Sequence, residues 1–483
     1  MTSGVTLSDI DKADAELTER FRDKLVVNYD LDRTLVSFQA NKLENEYRWC
    51  KYKEGFSAAL IRYIFNQLRI TQGRIIDPFA GSGTTLFVAS ERGVDATGIE
   101  LLPIGTEIIE VRRLIMRSDR SALAQQIRAF SKKRTWEQCG GRKPVPHLQI
   151  TSGAYPPENE AALERYLFEV DKITDKTLSR VLRFAAMCIL ESISYTRKDG
   201  QYLRWDERSG RRQGRKTFNK GRIYGFTEAI VQKLEEIAED IAPRTLLFPQ
   251  ADSSLEWGEV ELLVGSCLNI LPTLDTDTFD ALITSPPYCN RYDYTRTYAL
   301  ELALLGIDGP GIRQLRQNLI SCTVENRHKE DLEERFRKEE RYRAVNAFQS
   351  QRLLQLILSY LEQCKANGTI NNPGIPRMVR NYFFELAFII ADCARVLKAG
   401  APLVMVNDNV RYQGAHIPVD LILSDMAEKL GFEVETIWLL PKGKGNSSQQ
   451  MGAHGRKELR KCIYVWRVRG RQATPLERQA VLL

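Results

Sequence analysis

Three features predict an α/β chain built on a doubly wound, mainly parallel sheet. Strand-like and helix-like segments alternate, a glycine-rich turn follows the first buried strand, and an acidic residue ends the next one. A long run of helix formers and charges between two strand-like blocks adds a large, mostly helical insertion. The chain has 483 residues, 43% hydrophobic and 27% charged, a soluble globular profile. That length suits two or three domains, or one heavily inserted domain.

Composition also excludes classes. No apolar run approaches the roughly 20 residues of a membrane-spanning helix, so no membrane partner is expected. The opening MTSGVTLSDIDKADAELTERF is polar and lacks an apolar signal core, so a cytoplasmic rather than secreted chain is expected. Nine scattered cysteines without a CxxC pair, four histidines and no HExxH point to reduced thiols and no metal site.

Residues 1–40 read as a helical lead-in. The stretch 41–70 ends in an apolar-periodic helix through Leu60, Ile61, Ile64, Phe65 and Leu68, with Ser57 as its N-cap. Ile75 and Ile76 mark a short buried strand, Gly81-Ser82-Gly83 a turn, and TTLFVASERG a helix stopped near Gly93. ATGIEL is a second strand ending at Glu100, which completes a βαβ unit. Residues 106–255 form the helical, basic insertion. VELLVG and FDALIT then restore two buried strands. Residues 306–377 read as a second, charged helical insertion. In it, DLEERFRKEERYR places opposite charges at i,i+3 and i,i+4, the pattern of a solvated face. NYFFELAFIIADCARVLKAGAPLVMVND reads as helix, Gly400 turn and strand, and the end as two β-rich runs around a polar loop. The core is thus assembled from 41–105, 256–305 and 378–470, with a tail at 471–483.

A glycine turn ahead of a helix permits close backbone approach to a ligand. This one matches neither GxGxxG nor GxxxxGK[ST] and suits a nucleoside without a pyrophosphate. A carboxylate at Glu100 can accept both ribose hydroxyls. Ligands of such sheets sit at the carboxyl ends of the strands, so DPFAGSG and the later SPPY, at Ser285–Tyr288, face one crevice. The net charge of +7 is concentrated: residues 195–226 hold ten Lys/Arg against three Asp/Glu. Interleaved Tyr202, Trp205, Phe218 and Tyr224 suit phosphate contact with base stacking. A solvated basic loop fits the charge alone equally well.

These residues carry a family resemblance. DPFAGSGTT followed by GIE resembles the S-adenosylmethionine-binding motifs of the amino-directed DNA methyltransferases. SPPY resembles their catalytic tetrapeptide, (Asp/Asn/Ser)-Pro-Pro-(Tyr/Phe). YKEGFS at 52–57 looks like the motif preceding the cofactor strand, RVLKAGAPLVMV like the later strand-leading motif, with Ala401 where a second glycine is usual, and RKELRKCIYVWRV like the final hairpin. The similarity covers roughly residues 45–105, 258–305 and 378–468.

The resemblance implies a class I methyltransferase-like fold with a closing antiparallel hairpin, S-adenosylmethionine as cofactor and double-stranded DNA as substrate. It implies cofactor contacts at Lys53, Phe56, Asp77, Pro78, Phe79, Gly81, Gly83, Thr84 and Glu100. Ser266 and Cys267 stand where members often carry an aspartate near the adenine amino group. The glycine motif precedes SPPY, the reverse of the order usual for the serine spelling.

By this resemblance, Ser285 Oγ and the Pro286 carbonyl would be acceptors for an exocyclic amino group. Pro286 and Pro287 would fix the backbone and remove competing donors, and Tyr288 would offer a face for a base rotated out of the duplex. Serine is the spelling most associated with cytosine-N4 enzymes, aspartate being commoner in adenine-N6 enzymes, so the resemblance implies methylation at N4 beside a partner restriction nuclease. DNA phosphates would be met by Arg204, Arg211, Arg212, Arg215, Lys216, Lys220 and Arg222. Three alternatives stay open: an adenine-N6 DNA methyltransferase, a guanosine-N2 RNA methyltransferase, and a non-catalytic DNA-binding protein on the same fold.

Overall fold

The computed structural model describes residues 4–199, 203–211, 217–242, 256–441, 444–445, 455 and 458–470. Eight strands form one sheet: β1 (Leu25–Val27), β2 (Arg74–Asp77), β3 (Asp95–Glu100), β4 (Val260–Val264), β5 (Ala281–Thr284), β6 (Pro402–Asp408), β7 (Phe432–Leu439) and β8 (Lys461–Val468). Their order is β1-β7-β8-β6-β5-β2-β3-β4. β8 runs antiparallel to β7 and β6, and every other pairing is parallel. This is the mainly parallel sheet with a closing antiparallel hairpin that the motifs imply. From β2 the chain builds outward to β3 and β4; β5 and β6 lie on the other side. The order therefore reverses between β2 and β5, which opens a crevice above their carboxyl ends.

Both faces of the sheet are covered, and its strands alternate between them with period two. Ile75, Val404, Val406, Ile463 and Val465 face helices Ala58–Leu68 and Thr84–Ser90. Ile76, Leu403, Met405, Tyr464 and Trp466 face helices Ile375–Val396 and Val419–Lys429. Ser57 caps the first of these helices, accepting from the Leu60 N–H at 3.0 Å. The insertion has its own core, where helices Arg120–Lys133, Pro157–Asp171, Lys176–Ile193 and Phe226–Ile241 pack together.

Two expectations need revision. The lead-in is not only helical. After helix Leu7–Arg20, β1 pairs in parallel with β7 at the sheet edge, Leu25 opposite Ile437. Three residues carry no readable period, and the partner strand lies near the other end of the chain. The boundary placed at 105/106 falls inside helix Pro103–Met116. That helix serves two cores, Ile109 toward the sheet and Ile108, Val111 and Ile115 toward the insertion. The charged stretch 331–343 turns most of its charges to solvent, as expected, and the helix that continues it buries its apolar end. Helix Lys338–Gln349 buries Ala344, Ala347 and Phe348, and Phe348 meets Phe384 edge-on at 5.2 Å. Among the described residues no helix is long and apolar enough to cross a membrane.

Candidate active site

At the end of β2 the chain turns through Pro78–Gly83 into helix Thr84–Ser90. Gly81 and Gly83 have φ of +55° and +76°, a conformation that glycine adopts without strain. The next helix comes so close that a Cβ on Gly105 would lie 2.5 Å from the Gly81 carbonyl oxygen and 2.8 Å from Glu100 Cγ. The Glu100 carboxylate accepts from the backbone N–H groups of Gly81 and Leu102, each at 2.6 Å. Asp77 lies beneath the turn. Its Oδ1 accepts from the Phe79 N–H at 3.1 Å and from the Thr284 hydroxyl at 2.6 Å, which ties β2 to β5. Burial pushes the Glu100 carboxyl up to about 7, against the pull of the two N–H groups, with Asp77 adding to the rise. Burial likewise raises Asp77 to about 6.

Above the turn opens a cleft of about 720 Å³, counting the space open to solvent at its mouth. Phe56, Phe79, Ile99 and Ile320 give it apolar walls, Glu54 and Glu100 give it carboxylates, and Ser285 and Pro287 reach its edge. Tyr52 forms a further wall and is stacked on Tyr298 at 5.2 Å between ring centroids.

SPPY begins where β5 ends. Ser285 Oγ donates to the Val406 carbonyl of β6 at 3.1 Å and lies 3.3 Å from the Tyr288 hydroxyl. A hydroxyl has one hydrogen and two lone pairs, so an oxygen that has donated to the backbone is left as an acceptor. Tyr288 is half-buried, with the Lys461 ammonium 5.9 Å from its ring centroid.

Most of the residues implied as cofactor contacts converge. Phe56, Pro78, Phe79, Gly81 and Thr84 line the cavity around the turn, and Glu100, Ser266 and Cys267 line it beyond β3. Asp77 and Gly83 support the turn from below. Pro286 and Tyr288 are not among the lining residues, although Ser285 and Pro287 are. Lys53 is a correction. Its ammonium donates to the Lys198 carbonyl at 2.5 Å, and only its backbone N–H, bound to the Tyr298 hydroxyl at 3.2 Å, stays near the site. Its neighbour Glu54 takes the inward position. Tyr52, Glu54 and the 318–320 stretch line the cavity without having been singled out, and Tyr294, one of the residues just after SPPY, lines it too. YKEGFS marked the first two by place; nothing local marks the last.

The basic segment is partly turned in on itself. Arg204 covers Phe218 at 4.0 Å, Arg211 covers Trp205 at 4.1 Å and Arg222 covers Tyr224 at 4.5 Å, so these rings stack on the segment's own guanidinium groups. Lys220 is another correction. Its ammonium donates to the carbonyls of Ser194 at 2.6 Å, Thr196 at 2.9 Å and Glu191, bracing the loop from within. Burial lowers it to about 8. Arg204 and Arg222 keep exposed side chains, 41% and 63% of the full area. Tyr202, Arg212, Arg215 and Lys216 lie outside the described residues.

The chain is similar to known proteins over most of its length. A family model described as "DNA methylase" matches residues 18–110. The chain is 52% identical over 465 residues to the type II methyltransferase M.AvaI of Nostoc sp. (strain PCC 7120 / SAG 25.82 / UTEX 2576), covering 95% of this chain and 94% of that protein. The same values hold for M.AvaI of Anabaena variabilis. Identity to the type II methyltransferase M.BsoBI of Geobacillus stearothermophilus is 40% over 456 residues, covering 90% and 88%. No solved structure matches.

Proposed function

The chain belongs to the N6/N4 amino-methyltransferase family of DNA methylases, and from that premise we propose that it is a type II modification enzyme methylating N4 of cytosine in double-stranded DNA. When bound, S-adenosylmethionine supplies a methyl group activated by its sulfonium. The cavity fits that molecule: Glu100 suits the ribose diol, Phe79, Ile99 and Ile320 suit the purine, and the turn at Gly81 leaves room for close approach. The type II relatives support a place beside a partner nuclease that cuts the same sequence when unmodified.

The single observation that carries the reading is the setting of Ser285. An exocyclic amino group is a poor nucleophile because its lone pair is delocalised into the ring. An acceptor for its N–H draws the nitrogen toward tetrahedral geometry. Ser285, with its hydrogen donated to the Val406 carbonyl at the cavity edge, offers a neutral acceptor that is already oriented. The Pro286 carbonyl offers a second, and the prolines leave no N–H to compete. Tyr288 provides the face on which the rotated base stacks. Holding nitrogen and methyl in line supplies the remaining acceleration.

The test incubates the protein with unmethylated genomic DNA and labelled S-adenosylmethionine, digests to nucleosides and identifies the label by mass spectrometry. N4-methylcytosine is expected. N6-methyladenine would overturn the choice of base, and label on RNA alone would overturn the choice of polymer.

For DNA contact, the exposed arginines of the basic segment are proposed with Arg212, Arg215 and Lys216. Changing Arg211, Arg212, Arg215 and Lys216 to glutamine should flatten the salt dependence of DNA affinity. The slope should fall by roughly 0.9 log units per log salt for each phosphate no longer neutralised. An unchanged slope would make the segment a surface loop. Lys220→Met should lower stability instead and leave the slope alone.

A further inference from the structure

The loop that leaves SPPY holds a backbone outlier. Arg291, in the sequence Tyr288-Cys289-Asn290-Arg291, has φ of +66°, a left-handed conformation unfavourable to any residue with a Cβ. Other non-glycine residues in that region have local reasons for it. Arg69 and Arg134 end helices, and Gln413 turns the hairpin that pairs Val410–Tyr412 with Ala415–Ile417. Arg291 ends no helix. Its neighbours hold the conformation in place. The Tyr412 hydroxyl donates to the Cys289 carbonyl at 2.8 Å, and the Asn290 N–H donates to the Tyr288 carbonyl at 2.7 Å. Asn290 Oδ1 accepts from the Tyr292 N–H at 3.1 Å. Backbone strain that surrounding contacts maintain gathers at functional sites.

The side chain is a second anomaly. Arg296 pairs with Asp293 at 3.3 Å and with Glu325 at 3.0 Å, and Arg316 pairs with Asp293 at 3.2 Å. The nearest acid in the chain, Asp293, is therefore already taken. Among the described residues Arg291 makes no ion pair, and its Nε is buried without a hydrogen-bond partner. It faces the 410–417 hairpin: burial raises the Tyr412 phenol, Cys289 adds to the rise, and the Arg291 charge opposes it. A half-buried guanidinium without a countercharge is costly, and a ligand that brings an anion offsets that cost. Arg291 is not among the residues lining the cofactor cavity, so the anion it suits comes from another molecule. Three residues of chain span at most about 10 Å. Arg291 is thus tethered beside the tetrapeptide, where a strand must pass when its base reaches Ser285.

We propose that Arg291 grips a phosphate of the target strand flanking the rotated nucleotide, and that the strained loop aims it there. The assignment rests on the reading that the chain methylates a base rotated out of duplex DNA. The planar guanidinium fork matches two phosphate oxygens at once, which fixes the strand's position as well as attracting it.

The test is a double-mutant cycle between protein and DNA, read as the DNA affinity of the full-length protein. The DNA is a synthetic duplex carrying the sequence that the labelling experiment maps, with single phosphates around the target base replaced in turn by an uncharged methylphosphonate. For the wild-type protein, neutralising one flanking phosphate should weaken binding about 10–100-fold, the range of a lost hydrogen bond between charged groups. Arg291→Met should weaken binding to the unmodified duplex by the same range, lose nothing more at that phosphate, and keep its losses at the others. Its salt slope should fall by about 0.9, and its affinity for S-adenosylmethionine should not move. Arg291→Lys should restore the slope and part of the affinity. Additive losses at every phosphate, or an unchanged slope, overturn the assignment. Should Arg291→Met not fold, the wild-type scan and Arg291→Lys decide: insensitivity to both flanking phosphates, or equal losses in the two proteins, refutes the contact. If the wild-type protein transfers no label to DNA, the reading beneath the proposal fails, and the proposal with it.

Discussion

Replacing Ser285 by alanine is expected to lower the methylation rate by a factor of about 10²–10³, the usual cost of removing one preorganised hydrogen-bonding group from a transition state. Affinity for S-adenosylmethionine should stay within about twofold, because the rest of the cavity is untouched. The split is the informative part. Ser285 stands at the cavity edge with its hydroxyl anchored on Val406, so its loss removes an acceptor without removing a wall. Single-turnover rates with saturating DNA, alongside calorimetric cofactor titration, separate the two quantities. A parallel fall in both would mean that the serine holds the end of β5 in place and has no role of its own in the transfer.

The second large effect concerns stability. Lys198 and Glu301 form an ion pair at 2.6 Å with side chains only 4% and 3% exposed. Lys198 also lies 4.5 Å from the centroid of the Tyr298 ring, which stacks on the cavity wall Tyr52. Lys198→Met strands a buried carboxylate and should cost about 3–5 kcal/mol of folding free energy. Pairing it with Glu301→Leu should recover most of that loss, since removing both charges leaves none unpaired. Chemical denaturation of the two single variants and the double variant checks this. A loss below about 1 kcal/mol in the single variant would be the value of a surface pair and would contradict the burial. The experiment also bears on function, because this pair joins the basic segment to the wall of the cavity.

Local pattern made much of this protein legible. The apolar pairs of β2 and β5, the glycine turn and the acid ending β3 are each set by neighbours in the chain. The same holds for Ser57 as a cap and for the Gly400 turn before β6. Such features depend on period, capping and backbone freedom, which act over a few residues. For the same reason DPFAGSG and SPPY were readable as one site: strand ends in a doubly wound sheet share a crevice wherever they lie in the chain.

Side-chain direction was not legible. Lys53 and Glu54 are adjacent, and which of them faces the cavity is decided by Tyr292, Tyr298 and Lys198, all far away in sequence. Lys220 reads as one more basic residue until three carbonyls from 191–196 enclose it. β1 exists only because β7 supplies its hydrogen bonds. Which segments form strands, turns and motifs follows from the residues alone, because local sterics and hydrogen bonding choose those. Which polar groups meet across the crevice was left to the tertiary structure, because desolvation and pairing are settled only when distant segments are brought together.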